Sequence, residues 1–323
     1  MAAYTLADYS ALAKRDGAPL KQGVIDTLRK ESLVMDLLSF PSVGALQAKG
    51  LRIKSLPTLQ HRKVNEGYVH SVGTFDPLAE SGYLFGGKVQ LDRVYDAAKG
   101  ELMKDPQAAQ IDLYLKSLAY SFNDEFFNND SIANADTITG LRYRINTDFS
   151  GQKIDAGGVD VSPDTAAPTT AWLTLYDKMD QLQYALPEHK ADAFFMSDTT
   201  LLQIRSGLRR MGLLNQSKDQ FGRTIDRWGE GGPMLLDAGT KADQTTRVLP
   251  NTETSAGVIT GGTLSSIFAV RFGEDYLTGW QLDPLQTYKY QLGVIKYVEL
   301  DWYVGLFITN PRSVAWLYNI QSV

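Results

Sequence analysis

The chain has no cysteine among its 323 residues. Disulfides and thiolate metal sites are therefore impossible, and the composition suits a reducing compartment. Histidine is nearly as scarce, with only His61, His70 and His189. His61 and His70 lie in one polar stretch without the spacing that brings three or four ligands onto a metal, and His189 follows Pro187 and Glu188 in an expected exposed turn. Nucleophile–base pairs are correspondingly rare, and neither GxSxG nor HExxH occurs. No apolar run of about 20 residues exists, so no transmembrane span is expected. Residues 1–17 carry Asp8 and Asp16 and no continuous apolar core, unlike a signal peptide. An excess of positive charge is also missing. The net charge of -5 argues against specifically read DNA or an anionic membrane as partner.

What is present is a long chain with 43% hydrophobic residues, enough for a large core and two domains. Its clearest signal is residues 105–129. Asp105 is placed to cap a helix and Pro106 suits the first helical position. Ile111, Leu115, Leu118, Phe122 and Phe126 then recur at spacings of three and four, with a second row of Leu113, Tyr120 and Phe127 beside them. A helix of this length runs about 35 Å and serves as a spine for other elements. Asn128, Asn129 and Asp130 mark its end.

Before it, residues 1–18 read as a polar arm without a core, and residues 19–40 as one amphipathic helix stopped at Phe40-Pro41. Residues 51–56 and 86–95 alternate like strands, and the polar connection between them suggests an extended hairpin whose faces need a partner outside the chain. Beyond the long helix, residues 138–145 read as a turn and strand, and 146–170 as a loop. Residues 170–186 form a helix capped by Thr169 or Thr170, 191–196 a short buried strand, and 198–210 a helix capped by Asp198 and closed by Gly212. The inward residues of that last helix are Leu201, Leu202, Ile204 and Leu208. Residues 232–238 read as a strand and 239–256 as a loop. Three β-rich segments follow, at 266–272, 288–300 and 302–309. Asn310-Pro311 then opens a short helix through Tyr318.

Several motifs mimic sites. Gly82 to Lys88 satisfies GxxxxGK, but Val89 stands where a phosphate loop needs a hydroxyl, and the stretch reads as a strand with a glycine hinge. Asp226 and Glu230 form a carboxylate pair of a kind common on any surface. Trp302, Tyr303, Phe307 and Trp316 fit core packing better than a ligand platform, and Arg205, Arg209 and Arg210 fit a solvated helix face. No catalytic, cofactor-binding or metal residue is assigned.

The order of elements resembles the major capsid proteins of tailed bacteriophages with the HK97-type fold. The phrase Phe126-Phe127-Asn128-Asn129-Asp130, followed by Thr139-Gly140-Leu141, is similar to the family's helix end and glycine turn. Phe195-Met196-Ser197-Asp198-Thr199-Thr200 resembles its strand into helix. The run from Asp301 to Phe307 and on to Asn310-Pro311-Arg312-Ser313-Val314 resembles its closing strand and turn. The resemblance implies an α+β fold: an N-terminal arm at 1–50, an extended loop at 51–92 lying over a neighbouring subunit, a peripheral domain at 93–145 and 262–323 with its spine helix at 106–129, and an α/β axial domain at 146–261.

It further implies a non-enzymatic shell protein without cofactor that assembles into pentamers and hexamers around double-stranded DNA. Implied partners are other copies of the chain, a separate scaffolding protein, a portal, a decoration protein and non-specifically held DNA, in a virion assembled in the host cytoplasm. Some relatives cross-link subunits through Lys and Asn. Lys63 lies in the extended loop, but nothing around it indicates a covalent bond. Two other readings stay open: an encapsulin-like compartment around protein cargo, and an α/β enzyme or ligand-binding protein, for which no convergent polar set is found.

Overall fold

A computed structural model describes residues 5–17, 19–94, 106–161, 168–218 and 221–322. The chain opens with α1 (Leu6–Arg15), α2 (Pro19–Glu31) and α3 (Leu33–Leu37). The expected coreless arm is thus a helix. Asp8 Oδ2 accepts the Thr5 N–H at 2.9 Å while the Thr5 hydroxyl oxygen accepts the Asp8 N–H at 3.4 Å, a reciprocal cap that starts α1. Leu6 is buried, and the Ser10 hydroxyl donates to Asp26 of α2 at 2.6 Å. The single helix expected over 19–40 is two, because Ser32 turns to an extended backbone, φ -128° and ψ 111°, and caps the second. Its hydroxyl accepts the Met35 N–H at 3.1 Å and donates to Asn123 at 2.6 Å.

β1 (Gln47–Ser55) and β2 (Thr74–Ser81) form an antiparallel hairpin. The sequence pattern pairs residues 51–56 with 86–95 instead. It misses β2 because Asp76-Pro77 reads as a turn, yet Pro77 is tolerated in a two-stranded ribbon where its missing N–H is not needed. β3 (Tyr83–Asp92) leaves the hairpin and pairs elsewhere. The spine helix α4 (Pro106–Asn128) follows, its proposed cap Asp105 lying outside the described residues. Ile111, Leu115, Leu118, Phe122, Phe126 and Phe127 are buried, whereas Leu113 points to solvent.

Residues 138–145 hold a helix, α5 (Leu141–Thr147), not a strand. Leu-Arg-Tyr-Arg-Ile fits both periods over so short a stretch, and the burial of Arg142 and Arg144 against partners decides the matter. β4 (Lys153–Asp160) occupies part of the expected loop at 146–170. Next come α6 (Pro168–Tyr184), in which Thr169 and Thr170 lie inside the helix rather than at its cap, β5 (Ala193–Met196) and α7 (Asp198–Met211). Ser197 is the actual cap of α7, and Leu202 is exposed rather than inward. β6 (Asn215–Lys218), β7 (Thr224–Arg227), β8 (Met234–Asp237), β9 (Leu264–Val270) and β10 (Leu277–Gln281) precede a long hairpin of β11 (Gln286–Leu292) and β12 (Ile295–Ile308) turned at Gly293. That turn splits the segment expected at 288–300, whose second half fuses with 302–308 into one strand. The expected terminal helix is a short turn and then β13 (Val314–Gln321), drawn into a sheet between β4 and β9.

Two larger sheets result. A four-stranded sheet has β12 paired to β10, β11 and β3. A seven-stranded mixed sheet runs β4-β13-β9-β5-β8-β7-β6, so β9 and β13 share a sheet with strands from residues 153–237. Alternation along its strands sorts two cores. Phe195, Phe268, Val270 and Trp316 face the spine helix, whereas Phe194, Met196, Ile267 and Ala269 face α6 and α7. The spine helix joins the sheets: Phe122 stacks near Trp302 of β12 with centroids at 6.0 Å, and Phe127 meets Phe195 at 5.3 Å and Phe268 at 5.5 Å. Phe122→Ala is expected to lower stability by about 3–5 kcal/mol in urea unfolding, the range for aromatic truncation in a closed core. A loss under about 1 kcal/mol would contradict this role for the helix.

Candidate assembly surfaces

The β1–β2 hairpin is bound firmly at its root and left bare at its tip. Arg144 of α5 makes a two-point ion pair with Glu80 of β2, at 2.6 and 3.0 Å. Arg52 of β1 donates to the Ile308 and Thr309 carbonyls at 3.0 and 3.2 Å and lies over the Phe149 ring. The Tyr303 hydroxyl donates to the Leu46 carbonyl at 2.9 Å. Beyond these anchors the connection at 56–73 lies in solvent: Leu59 is 93% exposed and Val64 88%, and Leu56, Tyr68, Val69 and Val72 are also exposed. Such a run of exposed apolar side chains on one element marks a contact surface for another molecule.

The C-terminal end of the spine helix is a polar clasp. Asn128 donates to the Val248 carbonyl at 2.6 Å, and Asn129 to the Ile138 carbonyl at 2.8 Å. Arg142 donates to Glu253 at 2.6 Å and to the Gly257 carbonyl at 2.8 Å, with its guanidinium 4.8 Å from the Trp316 ring centroid. The Ser266 hydroxyl also bonds Glu253, so this fully buried carboxylate is satisfied twice. The Asn128-Asn129 and Gly140 phrase singled out in the sequence is therefore the clasp that ties the helix end to the 239–262 loop and to α5.

Glu125 sits in this clasp, and among the described residues no cation forms an ion pair with it. It accepts the Ile138 N–H, and burial raises its carboxyl from an ordinary 4.5 to about 7, with Asp124 pushing the same way. Asp124 is itself paired with Lys241 at 3.0 Å.

The remaining sequence candidates fall apart as a site. His61 and His70 are exposed in the hairpin connection, and His189 stacks on Tyr184 at 4.6 Å in a surface turn. Asp226 is paired with Arg205 at 3.0 Å and accepts from Gln216 at 2.8 Å, while Glu230 is exposed and not part of that cluster. Arg209 and Arg210 are exposed on α7. Trp302 donates to Gln281 at 2.8 Å inside the core, and Trp316 stacks on Phe268 at 5.6 Å. Tyr303 and Phe307 are half-buried against the hairpin root. Gly86 and Gly87 of the false phosphate loop are no hinge. They lie in continuous register with Asp301 and Leu300, and a side chain there would strike the Leu300 carbonyl and the Tyr114 hydroxyl. Among the described residues no group of three or more His, Asp or Glu could hold a metal, and no helix is long and apolar enough to cross a membrane.

This architecture, with a rooted hairpin, a spine helix across two sheets and a helix-covered mixed sheet, is the HK97-type capsid fold. The chain is similar to the holo-SrpI encapsulin complex from Synechococcus elongatus at a TM-score of 0.62 and 13% identity, over 90% of this chain and 87% of that one. It matches the capsid of the native GTA particle at 0.59 and 13% identity, over 89% of each chain. The cyanophage A-1(L) capsid matches at 0.57 and 12% identity, over 90% of this chain and 93% of that one. In sequence, no protein-family model and no curated protein matches the chain.

The folded Glu125 carboxyl titrates above its unfolded value, so the unfolded chain loses this proton first. Stability should therefore fall as pH rises from about 4.5 to about 7 and level off above that. Glu125→Gln keeps the acceptor for Ile138. It is expected to remove that slope and to stabilise the protein at pH 8 by on the order of 2 kcal/mol. Urea unfolding at pH 5 and pH 8 checks this, and an unchanged pH dependence would contradict it.

Proposed function

We propose that this chain is the major capsid subunit of a tailed bacteriophage, assembling into pentamers and hexamers of an icosahedral shell around double-stranded DNA. The observation that carries the reading is the β1–β2 hairpin: an apolar tip without cover on its own chain, rooted by Arg144, Arg52 and Tyr303 on an HK97-type body. Exposed apolar side chains gain about 1.5–3 kcal/mol each when buried, so a hairpin like this belongs against another copy. Residues 1–50 then form the arm, 51–92 the extended loop, 93–145 with 262–323 the peripheral domain and 146–261 the axial domain. The two domains share β9 and β13 through one sheet, which makes the subunit a stiff unit for repeated heterologous contacts.

The role is structural and non-enzymatic. A net charge of -5 suits a wall that holds DNA loosely, because tight phosphate binding needs clustered cations. A scaffolding protein, a portal and a decoration protein are the implied partners, and the virion, built in the host cytoplasm, is the location. The likeness to an encapsulin favours one second reading, a shell around protein cargo.

Negative-stain electron microscopy with sedimentation tests the proposal. Closed shells, or rings of five and six, are expected from the whole chain, with nucleic acid inside separating the phage reading from the cargo compartment. Deleting residues 58–71 should leave cooperative thermal unfolding intact and abolish shells. Normal shells from that deletion would remove the hairpin from assembly.

A further inference from the structure

We infer that the turn between α6 and β5 is a sprung latch on the joint between the two larger sheets, held shut by Arg271 and Tyr276 and opening when their grip on Glu188 is lost. The inference goes beyond the shell reading and stands whether or not shells form.

The turn is strained. Glu188 and His189 are both left-handed, at φ 54° and φ 55°. That conformation crowds any residue with a Cβ, and here two such residues stand in succession. Glycine, which adopts it freely, is at neither position. Local bonding is slight. The His189 N–H reaches the Leu186 carbonyl at 3.2 Å and the Lys190 N–H reaches the Pro187 carbonyl at 3.3 Å, both long for such bonds. Strain of this kind persists only where the surroundings fix it.

The surroundings here are the two crossings between the sheets. Residues 271–276 carry the chain from β9 of the seven-stranded sheet to β10 of the four-stranded one, and residues 309–313 carry it back from β12 to β13. Both crossings hold the turn. Arg271 donates to the Pro187 carbonyl and, at 3.0 Å, to Glu188 Oε2, while the Tyr276 hydroxyl donates to Glu188 Oε1 at 3.1 Å. The Arg271 guanidinium lies over the Tyr276 ring, 4.0 Å from its centroid. From the other crossing, Arg312 donates to the Ala185 carbonyl at 3.3 Å. The crossings are also tied to each other, by the Arg271 N–H on the Ser313 carbonyl at 2.8 Å and the Thr309 N–H on the Tyr276 carbonyl at 2.9 Å.

Grip and strain therefore oppose each other. The Glu188 side chain is 60% exposed and that of Arg271 only 13%, so the grip closes at the surface and opens without breaching the core. Once it opens, the turn relaxes toward ordinary backbone. The crossings then lose the contact that fixes them against the end of α6. The latch thus couples the seat of α6 to the way the two sheets meet, as hinge segments at the ends of elements do.

Hydrogen exchange of the whole chain, read by mass spectrometry, tests the latch. Glu188→Ala removes the grip and keeps the strain. It is expected to lower protection about tenfold across residues 186–190, and equally across 271–277 and 309–313. Glu188→Gly removes the grip but relieves the strain, so its protection should recover about fivefold over Glu188→Ala. Protection of the spine helix should stay unchanged in both. Tyr276→Phe is a milder variant that deletes one hydroxyl, and it should lower protection of the same three segments about threefold. Wild-type protection in Glu188→Ala or in Tyr276→Phe overturns the grip. Equal protection in Glu188→Ala and Glu188→Gly overturns the strain. Loss of protection at the turn alone, with both crossings unchanged, overturns the coupling to the joint.

Discussion

Phe122, Phe126 and Phe127 hold the molecule together, because one helix surface must satisfy two sheets at once. Phe122 closes on Phe40, Phe85 and Trp302 on the four-stranded side, and Phe127 on Phe195 and Phe268 on the seven-stranded side. Neither sheet buries its inner face without the helix. The orientation of the hairpin depends on this too, since Arg144 of α5 holds its Glu80, and the carbonyls of Ile308 and Thr309 at the end of β12 accept from its Arg52.

Rigidity at the root and exposure at the tip are two sides of one arrangement. Arg144 and Glu80 meet in a bidentate pair with little exposure, which fixes where the ribbon leaves the body. From Leu56 to Val72 the ribbon carries apolar side chains that its own chain leaves uncovered. A contact made once by such a surface is weak. Repeated around the ring of the proposed shell it would become strong, because each later contact would form within an assembly already held together.

Charge is placed with the same economy. Arg142 and Glu253 are both buried, and each finds further hydrogen bonds that offset its desolvation, so they serve the clasp at the helix end. Glu125, a turn of helix away from Asn128 and Asn129, accepts a backbone N–H and stands beside the like-charged Asp124. It is costly to the isolated subunit above neutral pH. A group of that kind lies on a groove wall, where another molecule can reach it, rather than in the core.

Much was legible from residue order alone. The period of Ile111, Leu115, Leu118, Phe122 and Phe126 defined the spine helix, because an apolar stripe of that length fits no other element. The short phrases at 126–130, 195–200 and 301–314, in that order, carried the likeness to the capsid fold. Other elements needed the tertiary structure. β2 hid behind Asp76-Pro77 and β4 behind a glycine-rich stretch, since both strands are chosen by their partners rather than by local preference. α5 and β13 were read as the opposite type, because Leu141–Ile145 and Val314–Tyr318 are short enough to fit either period, and buried ion pairs in one case and neighbouring strands in the other decided between them. Glu125 gives no signal in the sequence: it is one acidic residue in a long helix, and the Ile138 N–H that bonds it and the partial burial that raises its carboxyl come from elements that meet the helix only in the fold.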